Sequence, residues 1–117
     1  MSGETTFVGV LRMVLHIPRA RSLKDGRQVL VSLRDRIRHR FEVSLHEVEP
    51  GDILSRRVMV ATSAGSDGRL LRSSLDKVLA FAEQSVDAVI VDAAVDVFPW
   101  TPPGSWMAPV ESDEDAR

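Results

Sequence analysis

The twenty residues from Ser22 to Phe41 constrain this chain more than any other stretch. At 100° per residue, Leu23, Val29, Leu30, Leu33, Ile37 and Phe41 fall on one arc, the mark of an amphipathic helix laid on a core. The start signal is intact. Ser22 is placed to accept the unpaired N–H groups of a first turn, and Asp25 stands at the capping-box offset, one methylene shorter than the usual Glu. Arg27, Arg34 and Arg38 lie beside the apolar arc, with Lys24 at its margin. Gly26 is a soft spot near the helix start, costing about 1 kcal/mol relative to Ala. A helix this one-sided needs a surface to cover, and 117 residues leave room for one modest domain around it.

The flanking stretches supply that surface. From Phe7 to Ile17, the residues Phe7, Gly9, Leu11, Met13, Leu15 and Ile17 alternate with Val8, Val10, Arg12, Val14 and His16, which predicts a strand ended by Pro18. A second strand is expected from Phe41 to His46, followed by a turn at Glu49-Pro50-Gly51-Asp52, and a third from Arg57 to Ser63. After a loop at residues 64–68, with Ser66 or Asp67 as N-cap, Leu71, Leu75, Val78 and Ala82 recur at helical spacing over Arg69–Glu83, with Leu79 alongside. The last strand reads from Val86 to Phe98, with Val89, Val91, Ala93, Val95 and Val97 on one face. Ile90, Asp92, Ala94, Asp96 and Phe98 fall on the other. Strand, helix, strand, strand, helix, strand is the α+β, ferredoxin-like split βαβ plan (βαββαβ): a four-stranded antiparallel sheet with two helices on one face. That domain is expected over residues 1–98. Residues 99–117 form a Pro-rich, acidic tail expected to be largely mobile, in which Trp100 and Trp106 are suited to lie against a surface.

Composition narrows the chemistry. With no cysteine, the chain has no disulfide, thiolate nucleophile or Cys-ligated metal site. No apolar run approaches the roughly 20 residues that span a bilayer, and the first residues lack the basic and apolar regions of a signal peptide. A cytoplasmic protein without membrane partners is therefore expected. The net charge of −2 hides an asymmetry. Residues 1–60 carry 11 Lys/Arg against 7 Asp/Glu, whereas residues 61–117 carry 4 against 10. Such a split can give one basic face to a near-neutral protein, or simply a solvated helix and a solvated acidic tail.

Val8-Gly9-Val10-Leu11, Leu15-His16-Ile17-Pro18 and Ala20-Arg21-Ser22-Leu23-Lys24-Asp25-Gly26-Arg27 resemble the opening of the YlxP-like family of small bacterial proteins of unknown function. Ser32-Leu33-Arg34-Asp35-Arg36, Phe41-Glu42-Val43-Ser44, Glu47-Val48, Asp52 and Arg56 extend the likeness over about residues 7–98. The chain departs from the family at Gly26, where a second Lys is usual, and at Leu54, where a Trp is usual. The resemblance implies a ferredoxin-like fold, a cytoplasmic location and an accessory role around translation or ribosome assembly. It implies no established activity.

Two surfaces are candidates for function. The first is basic: Arg27, Arg34 and Arg38, at i, i+7 and i+11, span roughly 16 Å at 1.5 Å per residue, a scale on which phosphates repeat along a strand. Arg19, Arg21 and Lys24 extend it toward the helix start, where free N–H groups also favour anions. RNA or a ribosomal subunit is the expected partner, against a bland alternative of long side chains covering apolar edges. Aromatic residues interleaved with the basic ones, as single-strand binders have, are not evident in the sequence. The second surface is the sheet face away from the helices. Val8, Val10, Val14 and Ile90 are expected to form a homodimer interface there, among Arg12, His16, His46, Asp92 and Asp96, which could instead hold a ligand. No constellation specifies a reaction, so a non-enzymatic protein is expected, without catalytic residues, cofactor or metal.

Overall fold

A computed structural model describes residues 5–18, 20–48 and 55–104. Arg19, Leu54, Trp106, the turn at 49–52 and the acidic tail from residue 105 lie outside the described residues. The elements are β1 (Thr6–His16), α1 (Leu23–Arg40), β2 (Ser44–Glu47), β3 (Arg56–Gly65), α2 (Gly68–Ala82) and β4 (Val89–Trp100). All pairings are antiparallel and the sheet order is β2-β3-β1-β4, the ferredoxin-like arrangement.

Leu11, Met13 and Leu15 of β1, Met59 and Ala61 of β3 and Leu45 of β2 project from one face of the sheet. They meet Leu30, Leu33 and Ile37 of α1 and Leu75, Val78 and Ala82 of α2 in one core. The closest approach is at Gly9. A Cβ there would stand 2.6 Å from Leu75 Cδ1 and 3.1 Å from Leu71 Cγ, so the absence of a side chain lets α2 settle onto β1.

Both helices begin where the caps are. Ser22 Oγ accepts the Asp25 N–H at 3.1 Å, and the Asp25 carboxylate accepts the Arg21 N–H at 3.0 Å, one residue before the N–H that a capping box closes on. Asp67 caps α2 by accepting from the N–H groups of Arg69 and Leu70. The buried stripe of α1 is Gly26, Leu30, Leu33 and Ile37. Leu23 departs from the expected arc and is 47% exposed, because the first turn rests on the guanidinium of Arg57, which donates to the Leu23 carbonyl at 3.3 Å.

The structure departs from the sequence reading at the junction of α1 and β2 and in β4, which begins at Val89 instead of Val86. Phe41 closes α1 instead of opening β2: its N–H still bonds the Ile37 carbonyl at 2.8 Å, and β2 starts at Ser44. β4 runs on through Pro99 to Trp100, which pairs with Thr6, so the strand continues past residue 98; Pro99 is tolerated because β4 is an edge strand. β4 also carries a bulge. Asp92 stands opposite Val14 but Ile90 opposite Leu15, leaving Val91 as the extra residue. The shift turns Ile90 to the helix side, where it packs against the core.

Candidate nucleic-acid interface

α1 holds six Lys/Arg against two Asp over its 18 residues. The sheet dictates what each cation can do. The buried stripe faces the core, so basic side chains leave along two flanks. On one flank, Arg27 is exposed while Arg34 and Arg38 are partly committed. Arg38 Nη2 donates to the Leu45 carbonyl at 3.0 Å, tying α1 to the outermost strand β2. Arg34 is 37% exposed in its side chain, with Nε 3.6 Å from the Asp35 carboxylate. Lys24 and Arg21 are exposed at the helix start. Here one expectation changes: of the first-turn N–H groups, that of Asp25 is taken by the Ser22 hydroxyl, and the Asp25 carboxylate, which accepts the Arg21 N–H, sets an anion at the start of α1. The structure thus gathers Lys24, Arg27, Arg34 and Arg38 along one element with Arg21 just before it, Arg38 being a structural tie and Arg19 lying outside the described residues.

The other flank was not legible as a site. Arg36, His39 and Arg40, with Asp35, line a shallow basin of about 520 Å³ against Phe81 of α2. A second basin, of about 260 Å³, shares Arg40 and Phe81 and adds Phe41, Lys77 and Gln84. The Arg40 guanidinium lies 5.2 Å from the Phe81 ring centroid and 6.0 Å from that of Phe41, and the two rings meet edge to face at 5.8 Å. Aromatic and basic groups therefore do alternate here, between two helix ends far apart in sequence. The adjacency of Arg40 and Phe41 was the only local sign of it.

Arg57 is a second residue that sequence reasoning passed over. Its side chain is 5% exposed and pairs with Glu47 at 3.1 Å, while its other terminal nitrogen reaches Leu23. Its phase with Met59 and Ala61 on β3 was the available signal.

The sheet face away from the helices is less open than expected. Val8 and Val10 are half-buried, but Val14 is only 5% exposed and Val58, its register partner, is fully buried. With Ile90 on the other side, two of the four expected interface residues are unavailable. The exposed apolar residues of the sheet belong instead to β4: Val89, Val91, Phe98 and Trp100. Asp92 and Asp96 are exposed on β4, whereas His46 sits on β2, with β3 and β1 between the two strands in the order β2-β3-β1-β4. Among the described residues no group of three His, Asp or Glu is arranged to hold a metal. Among them, too, no helix is long and apolar enough to cross a membrane.

A family model described as "Protein of unknown function (DUF503)" matches residues 8–95, which takes in every element through the middle of β4. The chain belongs to this family. Membership in DUF503 brings a fold-sized match and no assigned activity. No curated protein matches the sequence. Among solved structures, the de novo designed protein Foldit4 is similar at 13% identity and a TM-score of 0.45, covering 84% of this chain and 99% of that one. A C-terminal segment of the alpha subunit of aIF2 from Pyrococcus abyssi is similar at 14% identity and a TM-score of 0.42 (85% and 52% covered). Rv0793 from Mycobacterium tuberculosis follows at 17% identity and 0.40 (86% and 99%). Likenesses this loose carry no functional weight for the DUF503 chain.

Proposed function

We propose that this protein is a non-enzymatic, cytoplasmic accessory protein of the YlxP-like kind that binds RNA, as part of a ribosomal subunit or its precursor, through the phosphate backbone. The observation that carries this reading is the charge of α1: six Lys/Arg against two Asp, with Asp25 bound into the helix cap. Lys24, Arg27, Arg36, Arg38 and Arg40 are exposed along that helix, and Arg21 stands just before it. Guanidinium groups spaced along a rigid helix suit phosphates, which lie at fixed intervals and accept paired hydrogen bonds. The contact is to backbone and shape, so little sequence preference is expected from this flank.

Reversing charge at Lys24 and Arg27 tests the reading, because neither side chain has a hydrogen bond or ion pair that the fold relies on among the described residues. The K24E/R27E protein should keep its thermal stability, lose at least tenfold in affinity for structured ribosomal RNA near 50 mM salt, and show a shallower dependence of affinity on salt. Absence of binding by the unaltered protein even at low salt would overturn it.

A second reading rests on β4. Four exposed apolar residues along an edge strand, Val89, Val91, Phe98 and Trp100, fit a homodimeric interaction module that uses this edge and the adjoining sheet face. Antiparallel self-pairing centred near Ala94 would set Asp92 against Asp96 of the second copy, a like-charge contact that disfavours the simplest such dimer. A monomeric mass by sedimentation at high protein concentration would remove this reading.

A further inference from the structure

The joined basins at the C-terminal ends of α1 and α2 have a chemistry that backbone contact alone does not use. Arg40 is exposed, and its guanidinium lies 5.2 Å from the Phe81 ring centroid, which keeps a planar cation at the surface. Phe41, edge-on to Phe81, adds apolar surface beneath it. Arg36 and His39 flank Arg40 on one side and Lys77 on the other. One carboxylate, Asp35, shares the rim. A purely anionic ligand, whether free phosphate or an acidic peptide, would meet Asp35 unfavourably and would leave the plane of that cation unused. A nucleotide answers each feature. Its base has a π-face that stacks on a guanidinium plane, its phosphate is an anion, and its exocyclic amino group donates to a carboxylate.

We infer that this basin receives an unpaired nucleobase stacked on Arg40, with the phosphates on its two sides held by Arg36 on one side and Lys77 on the other, and a base amino group accepted by Asp35. The inference deepens the RNA-binding reading above and rests on it for the biological ligand. It makes the protein a reader of single-stranded or bulged RNA, since a base in a duplex cannot reach the basin. An amino-bearing base (adenine, guanine or cytosine) is favoured over uracil.

The test has two arms. In the first, affinity is measured for a single-stranded RNA and for a duplex of equal length. Arg40→Lys keeps the charge and removes the plane; it should weaken single-strand binding about tenfold, within the range set by loss of one stacked base, and leave duplex binding unchanged. Phe81→Leu keeps apolar volume, removes the ring that supports Arg40 and should act the same way, with its folding checked by circular dichroism. In the second arm, amide spectra of the whole protein are followed during addition of GMP, UMP or inorganic phosphate. GMP should shift residues 36–41 and 77–84, UMP more weakly, and phosphate alone should not reproduce the pattern. If RNA binds but Arg40→Lys lowers single-strand and duplex affinity alike, or neither, and GMP behaves as phosphate does, the stacked-base inference falls and the backbone reading stands. If no RNA binds yet GMP gives the localised shifts, the base site stands and the RNA reading falls. Failure of both arms removes both.

Discussion

The two helices share one face of the sheet and differ in how they are held. α2 rests on β1 and β4 through side chains that are wholly apolar at the contact, Leu71, Leu75, Val78 and Ala82, and Gly9 lets it come close. α1 buries a stripe of its own, but it lies toward the short edge strand β2 and is fastened by two polar ties. Arg57 reaches up from β3 to the Leu23 carbonyl, and Arg38 reaches down to the Leu45 carbonyl. The difference explains where surface chemistry can reside. A helix seated deeply has little flank to spare, whereas one held at the margin can carry cations along both sides. α2 works as the seat of the core, and α1 works as the displayed element.

That contrast is most easily broken at Gly9. Replacing it with Val adds a Cβ within 2.6 Å of a side chain that is itself fully buried, together with two methyl groups that have no free volume. Overpacking of this kind should destabilise by about 3 kcal/mol in chemical denaturation. A loss under 1 kcal/mol would mean that α2 is not seated by this close approach. Next in size is Arg57→Ala, which strips α1 of its tie at the first turn and leaves Glu47 without its partner. Because the Glu47 side chain keeps 26% exposure, water can reach it, and the cost should be about 2 kcal/mol, below that of a fully buried pair. Arg57→Met keeps most of the volume and introduces no charge, so it should recover part of the loss. Equal losses for the two variants would show that the ties, and not the packing, hold this end of α1.

The same contrast marks what the sequence could and could not tell. Order and periodicity of the elements were legible because each segment has a single period: 3.6 in Leu30, Leu33 and Ile37, and 2 in Leu11, Met13 and Leu15. Ser22 and Asp67 were legible as caps for the same local reason. The bulge at Val91 was not. Val89, Ile90 and Val91 are all β-branched, so either phase reads as apolar and only the register with β1 decides which residue faces the core. Arg57 was hidden by its neighbour Arg56, since two adjacent arginines look like a solvated strand start. The cation–π contact of Arg40 with Phe81 joins residues 41 positions apart, through a packing of helix ends that no local pattern encodes. In the arginine stripe, residue type was legible and commitment was not, because the carbonyl that engages Arg38 belongs to a strand edge whose position follows only from the fold.

Arg27 and Arg38 sharpen the comparison at its smallest scale, since they sit on one flank of one helix and differ only in what they touch. Arg38→Ala removes a hydrogen bond to an edge carbonyl that water can replace, so it should cost about 1 kcal/mol. Arg27 is exposed, and its replacement by Ala should change stability by less than about 0.5 kcal/mol. On RNA the ranking should invert. Arg27→Ala should remove one phosphate contact and reduce the slope of log affinity against log salt by about 1. Arg38→Ala should change that slope less, because its guanidinium already serves the Leu45 carbonyl. Matching slopes for the two variants would mean that the tie opens on binding and that both arginines reach the backbone. A helix held at the margin of its sheet would then exchange an internal hydrogen bond for an external one, and stability measured with and without RNA would differ more for unaltered Arg38 than for the Ala variant.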